Sequence, residues 1–188
     1  MNKPKLLVQS ALYLIVCELA AFVIVMFFPM AYQSIGVGMS IVFGICSTGA
    51  CVCLYGDFAH KAGRKAGVKD ARLEGVDNSY FGFIMGLIPT GINYIFVILV
   101  YLSKFGVVSY DFYPWYKTLT FYFMPWTYLF APNTMVDGVS TTMAAVDLPW
   151  YGLLIMTILP LTFLATCYIA FYVGYKNYDM KAKIVYGK

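Results

Sequence analysis

Long apolar stretches alternate with polar ones along the chain, and the apolar stretches define the expected architecture. Four of them contain at least 20 residues and are almost free of charge; they lie at about residues 6–28, 35–55, 80–102 and 150–173. A helix needs about 20 apolar residues to cross the hydrocarbon core of a bilayer. The pattern therefore predicts an all-α membrane protein with four transmembrane helices, organised as one polytopic domain over residues 1–188.

The connections between these stretches carry most of the charge, and they carry it unevenly. The chain is 61% hydrophobic and only 12% charged, about half the charged fraction of a soluble domain. Of its 13 lysines and arginines, eleven lie before the first stretch, in the connection 56–79 or in the tail. Only Lys104 and Lys117 lie in the connection 103–149. Since cytoplasmic segments are enriched in lysine and arginine, we expect cytoplasmic termini, most simply in a plasma membrane. The net charge of +4 then reflects topology and does not indicate nucleic-acid binding.

The outer connection 103–149 is rich in aromatic residues, with twelve of them between Phe105 and Phe130. Its uncharged run Thr118–Phe130 is only about 13 residues long, too short to cross a bilayer of about 30 Å, and Pro125 interrupts it. An interfacial or re-entrant segment is the expectation. The alternative is a fifth span over residues 112–130, which would carry Lys117 and place the basic tail outside. Tryptophan favours membrane–water interfaces, so interfacial positions are expected for Trp115, Trp126 and Trp150.

Glu18 is the only charged residue inside the four apolar stretches, and its position places it near the bilayer midplane. An ionisable residue at that depth is costly and indicates a function. Positions of matching depth in the other helices include Ser47, Asn93 and Thr162. These four residues are the candidate polar layer. It would be either an ion or proton site or a set of interhelical hydrogen bonds.

Prolines and small residues indicate how the helices bend and pack. Pro89 and Pro160 lie inside the third and fourth stretches and are expected to kink them. Close helix packing is expected at small residues spaced four apart, which are Gly82 and Gly86 in the third helix and Gly36, Ser40 and Gly44 in the second.

The residue types needed for catalysis or for a cofactor are not placed together. All five cysteines fall inside predicted helices, so no extracellular disulfide is expected. Cys51 and Cys53 are two apart, which does not place them on one helical face, and His60, the single histidine, lies at a predicted membrane boundary. The spans contain no aspartate and no serine–histidine pair. We therefore expect a protein that is not an enzyme and that has no metal or cofactor.

One local pattern is similar to the small multidrug-resistance exporters, four-helix carriers with an essential glutamate in the first helix. Besides Glu18, the residues concerned are Ile88-Pro89-Thr90-Gly91-Ile92-Asn93-Tyr94 in the third helix. The resemblance implies that Glu18 binds protons and cationic drugs in competition and that Tyr94 lines the pocket. It covers under a tenth of the chain, and the long outer connection has no counterpart in those carriers.

Two functional hypotheses follow. The first is a non-enzymatic membrane subunit that packs with copies of itself or with other membrane subunits, because the outer aromatic residues and the small-residue faces provide contact surfaces. The second is a small ion- or proton-coupled transporter or channel that uses the carboxyl group of Glu18.

Overall fold

The structure is a computed structural model that describes residues 3–70, 77–136 and 139–186, with side chains described for 3–70, 77–133 and 141–176. Helices dominate it. In chain order they are α1 (Lys3–Val25), α2 (Phe28–Ile35), α3 (Val37–Asp70), α4 (Phe81–Lys104), α5 (Tyr113–Leu119), α6 (Met124–Thr127), α7 (Trp150–Ile158) and α8 (Leu161–Tyr186). A short antiparallel hairpin of β1 (Thr134–Val136) and β2 (Val139–Thr141) and a 3₁₀ turn at Ala145–Asp147 precede α7.

Four helical stretches among the described residues are long and apolar enough to cross a membrane: α1, α3, α4 and the stretch Trp150–Lys176. The prediction of an all-α protein with four membrane-length helices is therefore confirmed. Each stretch is mostly unburied by protein, which is compatible with lipid as the surrounding solvent.

The first helix ends earlier than predicted. α1 stops at Val25, and α2 begins at Phe28 with Pro29 in its first turn, where the missing N–H of proline has no helical partner to lose. Gly36 separates α2 from α3 and adopts φ +80°, a conformation that favours glycine. Gly36 thus lies outside α3 and is not part of its packing face.

The second long helix continues through most of the segment predicted as a cytoplasmic loop, residues 56–79, because α3 extends to Asp70. This extension has a buried face of small side chains, Ala59, Ala62 and Ala66, spaced three and four residues apart as on one side of a helix. Its basic residues lie on the exposed side. Tertiary packing of that face outweighs the low helix propensity of its glycines.

The outer connection contains no helix of membrane length within its described residues. α5 has seven residues and α6 has four, which amounts to about 10 Å and 6 Å at 1.5 Å per residue. A single helical fifth span over residues 112–130 is therefore not what the chain forms. Buried aromatic residues of the connection, including Tyr113, Tyr116 and Phe130, pack in one core with Val97 and Met156.

The chain divides into two compact units. The glycine unit comprises Met1–Leu14, Val52–Thr90 and Leu161–Lys188, and the Glu18 unit comprises Ile15–Cys51 and Gly91–Pro160.

Glycines set the helix contacts of the glycine unit. A methyl group at Gly63 would overlap the backbone carbonyl of Phe171, and one at Gly174 would overlap that of His60. The backbones of α3 and α8 therefore touch at reciprocal positions. The predicted packing residues Gly82 and Gly86 lie against α8: a methyl group would overlap the Phe171 side chain at Gly82, and would lie 2.9 Å from Leu164 Cα at Gly86.

Proline 89 is accommodated inside α4 by a side chain from α1. Proline at position 89 provides no N–H for the carbonyl of Met85, four residues earlier. The hydroxyl of Ser10 donates to that carbonyl at 3.0 Å, and the hydroxyl of Tyr55 donates to the backbone oxygen of Ser10 at 2.6 Å. At Pro160, by contrast, the helix is interrupted, since α7 ends at Ile158 and α8 begins at Leu161.

Candidate functional site

The carboxylate of Glu18 lies against a non-helical turn of the outer connection. Glu18 Oε2 accepts a hydrogen bond from the backbone N–H of Phe121 at 3.1 Å. Its other oxygen, Oε1, is buried and has no hydrogen-bond partner among the described residues. The carboxyl group is therefore half satisfied.

The turn exposes backbone groups because α5 ends at Leu119 and α6 begins only at Met124. Backbone N–H and C=O groups must find partners when they are buried. The carbonyl oxygen of Tyr122 accepts from the hydroxyl of Ser47 at 3.0 Å and from that of Thr48 at 2.9 Å. Side chains of α1 and α3 thus provide partners for the N–H of Phe121 and the carbonyl of Tyr122.

Tyr122 also connects the turn to α4. Its hydroxyl donates to Oδ1 of Asn93 at 2.8 Å, and both residues are almost completely buried. Three membrane-length helices are thereby linked through a single pair of residues, Phe121 and Tyr122.

A second aromatic residue of the same connection packs on α3. The indole N–H of Trp126 donates to Thr48 Oγ1 at 2.9 Å, and a methyl group at Gly44 would lie 2.6 Å from Trp126 Cε2. Gly44, predicted as a helix-packing residue, therefore contacts the outer connection, and Trp126 lies against α3 at Gly44 and Thr48. Trp115 and Trp150 are instead half exposed or more, at 50% and 64%.

An open groove of about 330 Å³ adjoins the carboxyl group and is lined by Glu18, Leu19, Phe22, Thr118, Leu119 and Phe121. Glu18 is the only ionisable residue in this lining. A carboxyl group with one unengaged oxygen at the wall of a groove has the chemistry to hold a proton or a cation.

Three of the four residues of the predicted polar layer meet the same turn. Glu18, Ser47 and Asn93 each hydrogen-bond to Phe121 or Tyr122, whereas Thr162 belongs to the glycine unit. Depth matching missed the turn itself, because its hydrogen-bonding groups are mainly backbone atoms in a segment without helical periodicity. It also missed Thr48, which is adjacent to Ser47 and shares its acceptor.

The outer connection contains a buried cation in addition. Lys117 is 4% exposed, and Nζ donates to Asn133 Oδ1 at 2.6 Å and lies 4.2 Å from the ring centroid of Tyr128. No carboxylate oxygen lies within 4 Å of Nζ among the described residues. Burial without a carboxylate partner lowers the pKa of Lys117 to about 7. The neighbouring hydroxyl groups of Tyr113 and Tyr116 are buried and have no hydrogen-bond partner in the part of the chain that is described.

No family model, no curated protein and no solved structure matches this chain. Tyr94, which the resemblance to multidrug exporters would place in a pocket with Glu18, donates its hydroxyl hydrogen to the backbone oxygen of Thr157 at 2.9 Å. It is not part of the lining of the Glu18 groove.

Proposed function

We propose that this protein is a non-enzymatic integral membrane subunit, part of a homo-oligomer or a larger membrane complex, and that Glu18 holds a re-entrant aromatic segment in place. The observation that carries the proposal is the convergence of α1, α3 and α4 on Phe121 and Tyr122. Glu18 Oε2, Ser47 and Asn93, polar groups that would line a transport path in a carrier, are engaged by the chain's own outer connection.

The depth of these contacts supports a re-entrant segment. At about 1.5 Å per residue, Glu18 lies about 18 Å along its helix from the first apolar residue, Leu6. Thr48 and Asn93 lie about 17 and 18 Å from the starts of their helices, at Val37 and Phe81. Half of the hydrocarbon core measures about 15 Å. A turn that touches all three positions therefore belongs near the middle of the bilayer, where irregular backbone needs protein partners.

The exposed aromatic residues of the same connection support an interaction with a partner. Phe105, Tyr110 and Trp115 are 50–60% exposed, and large aromatic residues are enriched at the centres of protein interfaces. Tyr110 and Trp115 belong to the lining of an open apolar groove of about 480 Å³, together with Phe96, Leu99, Phe112 and Leu119. Gly82 and Gly86 contribute nothing to such an interface, because they pack within the chain.

Site-specific photocrosslinking together with native mass spectrometry tests this proposal. A benzophenone amino acid in place of Trp115 is expected to crosslink a second copy or another membrane subunit at fixed stoichiometry, and gently extracted protein is expected to show the same assembly. The matched control is the same replacement at Ile95, which is 58% exposed on α4 but is not in the lining of the apolar groove beside Trp115. A monomeric protein that crosslinks only lipid at both positions would contradict the subunit proposal.

A second candidate function, a proton- or cation-coupled carrier or channel, is favoured by one specific observation. Glu18 Oε1 is buried without a partner beside a groove. Glu18→Gln separates the two functions, because the amide oxygen of glutamine can still accept from Phe121 but the side chain no longer ionises. Loss of pH-driven cation flux in liposomes, with folding retained, would favour the carrier. Assembly and stability that are unchanged, with no flux in either variant, would favour the subunit.

We also propose that the protein lies in a plasma membrane and that both of its termini are on the cytoplasmic side. The distribution of eleven basic residues against two supports this orientation. Reporter fusions at the C-terminus should be active only as cytoplasmic reporters, and an active periplasmic or extracellular reporter would reverse the assignment.

A further inference from the structure

A groove with a different character lies in the glycine unit, between α3 and α8. Its volume is about 470 Å³, and its lining is small or apolar except at His60 and Thr166: Val52, Gly56, His60, Ala165, Thr166, Ile169, Ala170 and Val173. The two most exposed large side chains at its edge, Ile169 and Val173, are 59% and 43% exposed. The groove therefore opens towards the surroundings of the helices.

The groove exists because the two helices are fixed in backbone contact while their side chains are too small to fill the surface beside that contact. The contacts at Gly63 and Gly174 set the separation of the helices. Beside them, a methyl group at Gly56 would meet only Thr166 Cγ2, at 3.8 Å. A long, narrow apolar chain can therefore make the dispersion contacts that the protein itself leaves unmade.

Basic residues continue the two walls of the groove. On α3, His60 and Arg64 follow Gly56 at intervals of four residues, which places them along one face. On α8, Lys176 follows Val173 by three residues on the same face. Arg64 and Lys176 are both exposed, and each lies about one helical turn, roughly 5–6 Å, beyond the last groove residue of its helix.

Arg64 is available for an external anion. Its neighbour Lys61 is paired with Asp57 at 2.6 Å, whereas no carboxylate oxygen lies within 4 Å of the guanidinium of Arg64 among the described residues. The groove therefore combines an apolar channel with cationic groups at one end.

We propose that this groove binds one acyl chain of an anionic membrane phospholipid, whose phosphate is held by Arg64 and Lys176. Arginine recognises phosphate oxygens through paired N–H donors, and basic pockets between membrane helices select anionic headgroups. The lipid would stabilise the contact between α3 and α8 whether the protein acts as a subunit or as a carrier.

Native mass spectrometry of the full-length protein tests the assignment, with phosphatidylglycerol and phosphatidylcholine of identical acyl chains as the two probes. Wild-type protein is expected to retain phosphatidylglycerol in preference, and Arg64→Gln is expected to reduce that preference about fivefold, as for the loss of one cation near a phosphate. The control is Lys65→Gln, which removes the same charge about 100° around the helix from Arg64 and should leave the preference unchanged.

Filling the groove tests the position of the acyl chain. Ala165→Leu and Gly56→Leu should both reduce retention of either lipid, whereas Gly49→Leu, on the same helix but outside the groove lining, should not. Ala165→Leu introduces a good helix former at an exposed position, so it remains informative if Gly56→Leu fails to fold. Equal retention of the two lipids by wild-type protein would overturn the proposal, as would undiminished binding of phosphatidylglycerol in Arg64→Gln or Ala165→Leu.

Discussion

In the glycine unit α3 and α8 touch through their backbones, whereas in the Glu18 unit α1, α3 and α4 are joined through hydrogen bonds to a turn of the outer connection. The first arrangement depends on the absence of side-chain atoms at Gly63 and Gly174. The second depends on polar atoms of Glu18, Ser47 and Asn93. Both are known means of stabilising helices in lipid, where apolar surface alone gives no preference for protein contacts over lipid contacts.

This difference determines how each unit tolerates change. A backbone contact has no alternative geometry, so an added methyl group must move a helix. A hydrogen-bonded turn can exchange one acceptor for another, but it responds to protonation and to water. We therefore expect the glycine unit to be sensitive to volume and the Glu18 unit to be sensitive to pH and polarity.

The largest effect is expected at the backbone contact. Gly63→Ala or Gly174→Ala should destabilise the protein by about 4 kcal/mol, because the new methyl group would overlap a backbone carbonyl that cannot rotate away. The measurement is the free energy of unfolding from a denaturant titration followed by circular dichroism. Gly49→Ala is the control, since nothing described lies within 4 Å of its added methyl group. A loss below about 1 kcal/mol at Gly63 would mean that the backbones are not in contact.

The next effect concerns Lys117, which should make the stability of the Glu18 unit depend on pH. Burial lowers the pKa of Lys117 to about 7 in the folded protein, while an unfolded lysine titrates near 10.4. Between these values the unfolded state binds more protons, so the free energy of unfolding should increase with pH, by about 1 kcal/mol per unit from pH 7 to 10. Below pH 7 both states are protonated and the slope vanishes.

Tryptophan fluorescence is a suitable measure of the unfolding of the Glu18 unit, because Trp115, Trp126 and Trp150 all belong to that unit. Lys117→Met should remove the slope. Above about pH 10 the slope should reverse, because burial raises the pKa of Tyr113 and Tyr116 and the folded state then binds more protons. A slope that persists in Lys117→Met would assign the pH dependence to another group.

The smallest effect concerns the hydrogen bond from Ser10 to the carbonyl of Met85, which compensates Pro89 in the glycine unit. Ser10→Ala should cost about 1–2 kcal/mol, because the carbonyl of Met85 loses its donor. In a Pro89→Ala background the same substitution should cost nothing further, since residue 89 then supplies the helical N–H. A double-mutant cycle measures this coupling. Additive effects would show that the Ser10 bond is unrelated to the proline.

Sequence reasoning located the four long helices well because their apolar composition alone determines them. It placed the end of α3 too early because it treated charge and glycine between residues 56 and 70 as signs of a loop. In the fold, glycine there is required for the contact with α8, and charge faces outwards. Whether residues 56–70 form a helix or a loop depends on which residues they contact in the folded protein. The pattern of charge and glycine along the sequence does not reveal those contacts.

The residues of the candidate site could be predicted only in part. Glu18, Ser47 and Asn93 could be grouped because helical rise converts sequence position into depth. Phe121 and Tyr122 could not be added, since a backbone amide or carbonyl has no signature in the sequence. The interruption by Pro125 and the short length of the run indicated only that the segment would not form an ordinary span.

The length of α3 has a consequence for the membrane around the protein. Its 34 residues extend about 51 Å, and the uncharged part from Val37 to Gly56 accounts for about 30 Å of that, the thickness of an average hydrocarbon core. Asp57 marks the end of the match. In a thicker bilayer this carboxylate would enter the hydrocarbon region unless the helix tilted less or the bilayer became thinner around it. The length of this uncharged part therefore sets the bilayer thickness that α3 matches without hydrophobic mismatch.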